Sequence, residues 1–157
     1  MNKSEFIYTT YIRTTPEKLW EALINPEFIK QYWFGAYAES SWETGSSWTL
    51  RFDDGEIADA GEILECVPAK RLVIKWQNEW SPELKAEGFS TCVFDIGQED
   101  GIVRLTVTHS MDKEASKLIE GVGGGWPKVL SNLKSLLETG QVVMEKSLDC
   151  KSKTTAA

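Results

Sequence analysis

The chain has 157 residues, 24 acidic and 17 basic side chains and a net charge of -7, with seven Trp, six Phe and four Tyr. That charge repels polyphosphate, so neither nucleic acid nor an anionic membrane is expected as a partner. The length suits one domain that buries roughly two thirds of the surface its unfolded chain exposes, and no apolar run is long enough to insert into a bilayer.

Residues 6–13 are rich in β-branched and aromatic side chains, which predicts a strand. Thr15-Pro16-Glu17 and Asn25-Pro26-Glu27 each combine a capping side chain, a first-turn proline and a carboxylate near the positive helix end. Leu19, Trp20, Leu23 and Ile24 form the apolar stripe after the first; Phe28, Ile29, Tyr32 and Trp33 follow the second. Two short helices are therefore predicted after the first strand.

Turn residues then divide the chain into runs of strand type at 37–43, 46–53, 57–67, 72–80, 89–98 and 103–109. Short turns imply sequential antiparallel pairing. Trp48, Leu50 and Phe52 share a face by their period of two, as do Leu72, Ile74 and Trp76. Cys92, Phe94 and Ile96 form a third such row, and Val103, Leu105, Val107 and His109 a fourth.

Residues 113–122 read as a short helical piece and 121–125, GVGGG, as a flexible joint. From Gly123 to Glu138 the spacing of Trp126, Val129, Leu130, Leu133, Leu136 and Leu137 predicts a long amphipathic helix, with Lys128, Ser131, Asn132, Lys134 and Ser135 opposite. Pro127 suits its first turn and Gly140 a position past its end. The fold class expected is α+β, a curved antiparallel sheet of about seven strands around a long C-terminal helix. Residues 1–140 form one domain in this reading, and 141–157 a polar, mobile tail.

The candidate chemistry is sparse. His109, the one histidine, is a possible general base or a polar anchor on the apolar side of its strand. Asp53, Asp54, Glu56, Asp59 and Glu62 lack calcium-loop spacing and read as a solvated turn. No Gly-Lys-Ser/Thr follows the glycine run, and no base accompanies Ser46 or Ser47. Cys66, Cys92 and Cys150 have neither disulfide-framework nor zinc spacing, which fits a reducing cytoplasm, with Cys92 an inert buried thiol. No catalytic residue, metal ligand or cofactor is assigned. Trp33, Trp48, Phe52, Trp76, Phe94 and Trp126 come from different elements and converge under the long helix, either as filled core or as cavity wall. With His109 and Leu130 they are the candidate ligand-binding residues.

Three stretches carry a resemblance: TTPEKLWEALINPEFIKQYW at 14–33, GEILECVPAKRLVIKW at 61–76, and Gly125-Trp126 with Leu130, Leu133 and Leu137. Together they resemble the START-like (helix-grip, SRPBCC) superfamily across residues 6–138. More narrowly, they are similar to the family related to the C-terminal domain of activators of the ninety-kilodalton heat-shock chaperone ATPase. The resemblance implies a sheet gripping the long helix around an apolar cavity. The aromatic faces and the lack of a catalytic constellation lead to the expectation of binding a hydrophobic or amphipathic small molecule without catalysis, as a monomer or homodimer. Its alternatives are a co-chaperone-like module with a chaperone as partner, without the extra N-terminal domain of eukaryotic activators, or a cyclase- or hydrolase-type enzyme using His109.

Overall fold

The computed structural model describes residues 3–145. Both proline-led helices form as their caps predict. Thr15 Oγ1 accepts from the Lys18 N–H at 3.2 Å to start α1 (Pro16–Ile24). Asn25 Oδ1 accepts from the Glu27 N–H at 2.9 Å to start α2 (Pro26–Tyr32). They bridge β1 (Ser4–Ile12) and β2 (Tyr37–Ser40), which lie at opposite edges of one seven-stranded sheet. β3 (Ser47–Arg51), β4 (Ile57–Val67) and β5 (Arg71–Asn78) continue the meander from β2. After α3 (Pro82–Lys85) come β6 (Ser90–Glu99) and β7 (Ile102–Met111), and β7 pairs with β1. All six pairings are antiparallel.

Two local readings need correction. The run 72–80 leaves the sheet after Asn78, whose Oδ1 accepts from the Ser81 N–H at 2.8 Å and turns the chain into α3. The glycine run is helix, not joint: α4 (Lys117–Thr139) passes unbroken through it, so Pro127 is an interior residue. Tertiary packing overrides the local signals here. A Cβ on Gly123 would stand 3.2 Å from the Phe6 ring, so its hydrogen lets α4 lie close against β1. Pro127 removes only the donor that would have reached the Gly123 carbonyl, and helical packing from Leu118 to Leu136 outweighs that loss.

α4 is fixed at both ends. Ser116 Oγ accepts from the Ile119 N–H at 3.1 Å and donates to Glu87 Oε1 at 2.7 Å. Glu87 also accepts from the Lys117 and Leu118 N–H groups at 3.0 and 3.2 Å, a carboxylate on the positive helix end. Past Thr139 the chain reverses at Gly140, in the left-handed region at φ 85°. Asn132 is fully buried rather than on the polar face: its Oδ1 accepts from the Met144 N–H and its Nδ2 donates to the Met144 carbonyl, both at 2.8 Å. The same Nδ2 donates to the Tyr32 carbonyl at 3.3 Å, joining α2, α4 and residues 141–145. The rest of the tail expected at 141–157, Cys150 included, lies outside the described residues.

Burial raises the proton affinity of Glu87, but the hydrogen bonds from Ser116, Lys117 and Leu118 and the nearby Lys113 outweigh it and bring the carboxylate below its ordinary range. A depressed carboxylate contributes stability above its unfolded pKa and loses it as pH falls through the folded one. Glu87→Ala should therefore lower unfolding free energy by about 1–3 kcal/mol at pH 7, with the gap to wild type closing in acid, as read by urea denaturation at successive pH values.

Candidate functional site

The inward face of β3, β4 and β5 is built in rows. Trp48, Gly61 and Trp76 are cross-strand neighbours. Their outer two strands lie about 10 Å apart, yet the two indole centroids are only 4.6 Å apart, so the rings lean together over the glycine. Gly61 is obligatory for backbone reasons as well, since a Cβ there would fall 1.6 Å from the Lys75 carbonyl oxygen. Trp76 also touches Trp33 at 6.3 Å, His109 at 4.9 Å and Trp126 at 5.9 Å, centroid to centroid. Trp126, brought in by α4, meets Trp33 at 5.2 Å and Phe94 at 5.7 Å, both edge to face.

These rings nearly fill the space between sheet and helix. What remains is a cavity of about 20 Å³, room for one water-sized body. Six of the eight residues expected at a ligand site line it: Trp33, Trp48, Trp76, Phe94, Trp126 and Leu130. Phe52 does not; it packs edge to face on Trp80 at 6.3 Å, further along the sheet. Nor does His109, which sits behind Trp76 and Trp126. Helix residues Leu23, Ile29 and Tyr32 complete part of the wall, and the Tyr32 hydroxyl is spent on the Ala22 carbonyl at 2.8 Å. Trp42 adds a wall from the β2–β3 loop, half-buried and in the left-handed region at φ 61°. Its N–H donates to Ser40 Oγ at 2.9 Å. The sequence places Trp42 inside a strand, and nothing in its neighbours signals the reversal.

His109 is fully buried and its hydrogen bonds fix its tautomer. Trp126 Nε1–H donates to Nδ1 at 3.2 Å, so the ring proton sits on Nε2. Nε2–H donates to Ser90 Oγ at 2.8 Å, which leaves the serine hydroxyl to donate to the Trp76 carbonyl at 3.1 Å. Burial pushes the imidazole pKa down to about 3, in keeping with a neutral ring. Both nitrogens are committed. The arrangement makes His109 a tether between α4, β6 and β5 rather than a poised general base.

Asp59 is the residue whose setting the sequence reading missed. It is fully buried, where the acidic run was expected to be solvated. Parity carries the signal: Asp59, Gly61 and Ile63 share a face, and Ile63 is fully buried. A bulge between Leu50 and Arg51 turns Ala58 inward as well and obscures it. Burial raises the carboxyl pKa to about 8; the Trp76 indole N–H, turned toward it, offsets part of the rise, and Glu79 adds to it. Neither carboxyl oxygen reaches hydrogen-bonding geometry with any described residue. Among the described residues no three His, Cys, Asp or Glu side chains gather as a metal site, and no helix is long and apolar enough to cross a membrane.

A seven-stranded antiparallel sheet curved around a C-terminal helix, with two short helices after the first strand, is the helix-grip or START-like fold. The chain belongs to the family described as Activator of Hsp90 ATPase homolog 1-like protein, whose model matches residues 13–138. No curated protein sequence matches it. Among solved structures it is similar to CalU16 from Micromonospora echinospora, with 21% identity, TM-score 0.69, and 87% of this chain and 77% of that one covered. An HSP90 activator from Plasmodium falciparum is 22% identical at TM-score 0.69, over 85% of this chain and 95% of that one. An Aha1 dimer from Colwellia psychrerythraea is 22% identical at TM-score 0.67, over 87% of this chain and 98% of that one. At such identities the likeness is one of fold.

Two outcomes are expected of this site. Trp126→Ala should cost about 3–5 kcal/mol in urea denaturation, because it removes a fully buried ring and strips His109 of its donor. For Asp59 the folded pKa exceeds the unfolded one, so the wild-type fold binds the extra proton and loses stability as pH rises from about 4 to about 8. Asp59→Asn should therefore gain on wild type across that window in parallel denaturation curves, the gain levelling off above it.

Proposed function

We propose that this domain binds a small apolar or amphipathic molecule between the sheet and α4, without transforming it. Trp33, Trp48, Trp76, Phe94, Trp126 and Leu130 would contact it, with Phe52 at the far end and His109 holding Trp126 from behind. The observation that carries this reading is the aromatic wall of the cavity, gathered from helices, sheet and loop around a residual space of about 20 Å³. Ligand sites usually enclose about 300–1,000 Å³, so occupation requires part of the wall to move. Trp42 is the part best placed to do so. Its loop position leaves it half-exposed, and its left-handed backbone carries about 1–3 kcal/mol of strain.

The apolar fluorophore N-phenyl-1-naphthylamine tests this. Saturable binding with energy transfer from tryptophan is expected, and Trp42→Ala should tighten it several-fold by raising the open population. Titrations that never saturate, in wild type and variant alike, would refute the reading.

The family match and the Plasmodium activator favour a second reading, an interaction module acting on a chaperone ATPase. Ile7 and Tyr11, exposed on edge strand β1, are where a partner would seat. Unchanged chaperone ATPase rates on addition of the domain would retire it. A reducing cytoplasm is the proposed setting, in keeping with the free thiols Cys66 and Cys92. The Colwellia dimer makes a homodimer the alternative to a monomer.

A further inference from the structure

Three polar groups with buried atoms fall outside good hydrogen-bonding geometry with every described residue: the Asp59 carboxyl, through both oxygens, the Trp76 indole N–H, which turns toward that carboxyl, and the indole N–H of half-buried Trp80. Strand register relates them. On the inward face, the row Trp48–Gly61–Trp76 is followed by the row Leu50–Asp59–Asn78, two residues or about 7 Å along the strands. Beyond Asn78, Trp80 closes edge to face on Phe52 at 6.3 Å. Asp59 thus stands in sequence register between two aromatic pairs, and the nearer pair, Trp48 and Trp76, walls the cavity under α4. Trp76 links the two, with its ring on the cavity wall and its N–H end toward Asp59, which itself lies off that wall.

We propose that Asp59, Trp76 and Trp80 form the polar end of the ligand site, and that the site takes an uncharged apolar molecule bearing a carbonyl oxygen. This rests on the reading of the cavity given above and adds the chemistry of its occupant. Unpaired buried polar groups are costly, and one that persists calls for a partner that satisfies it. Near neutral pH the buried acid keeps its proton and offers an O–H beside the two N–H groups. Donors therefore outnumber acceptors, and the complement of an unpaired donor is an acceptor such as a carbonyl oxygen with its two lone pairs. An ammonium would face the positive edges of the indoles and lose its own hydration. A carboxylate would place a second negative charge near Glu79 in a poorly solvated space. The hydrocarbon body of the ligand would lie along the Trp76 ring toward Trp126.

Three probes of one size test the assignment: 2-acetylnaphthalene, 2-ethylnaphthalene and 2-naphthylmethylamine, titrated by tryptophan quenching. The ketone is expected to bind wild type about ten-fold more tightly than the hydrocarbon, the equivalent of one well-made hydrogen bond to a buried partner. Asp59→Asn, which retains a donor and an acceptor, should keep most of that preference, and Asp59→Leu, which leaves only the two indole donors, should reduce it markedly. Equal binding of ketone and hydrocarbon by wild type, or a preference undiminished in Asp59→Leu, overturns the proposal while leaving the apolar site standing. Tighter binding of the amine than of the ketone overturns the ligand class. If no naphthalene binds, the cavity reading fails and this inference falls with it. Should Asp59→Leu not fold, the infrared carbonyl stretch of the wild-type-bound ketone decides: a shift to lower frequency supports the hydrogen bond, and a band at its position in hydrocarbon solvent refutes it.

Discussion

The contact on which most of the interior depends is the meeting of Trp76 with Trp126. Trp76 comes from the middle strand of the sheet, between β4 and β6, and Trp126 from α4, and each is at most 1% exposed. Their ring contact would tolerate sliding. The polar chain behind it does not, because Trp126 donates to His109, His109 to Ser90 and Ser90 to the Trp76 carbonyl. Helix orientation is thus set by directional bonds and helix affinity by apolar area, a division of labour common in buried polar networks. Removing Gly61 would disturb both, since that position allows Trp48 and Trp76 to lean together.

The same packing bears on what the domain does. A helix-grip fold can hold its sheet apart from its helix and enclose a ligand, or close the gap with its own side chains. Here five aromatic or histidine rings come together around Trp76 and Trp126, if Trp42 is counted at the rim. A closed arrangement of this kind spares the protein a large exposed apolar lining. Polar demand is concentrated at one place, around Asp59, where burial opposes ionisation instead of a partner supporting it.

Much of this architecture was legible in local chemistry. The Thr15 and Asn25 caps, the first-turn prolines and the glycine turns located both short helices and the hairpins, because such signals act over a few residues and need no tertiary partner. Strand alternation located Trp48, Trp76 and Phe94 on the cavity wall and the helical stripes located Trp33, Trp126 and Leu130, six of the eight residues expected there. What escaped depends on distant contacts. The glycines and Pro127 read as a break until Phe6 fills the groove beside Gly123. Asn132 reads as surface until Met144 and Tyr32 supply partners from elsewhere in the chain. Asp59 reads as part of an acidic turn because a bulge hides its parity. In each case the residue type is ordinary for one setting and the fold supplies another.

The pairing of β1 with β7 has a consequence for how the protein is made. Ser4 is matched to Met111 and Ile12 to Val103, so the first strand synthesised waits for the last. Until then its Ile7 and Tyr11 are accompanied by an unpaired backbone on both sides, a sticky ribbon at the head of a growing chain. Closure of so long a loop makes the sheet slow to complete, and α4, which lies on β1, must follow it. The β1 edge therefore closes only once β7 has been synthesised, and a truncated product ending before β7 would leave its first strand without its pairing partner.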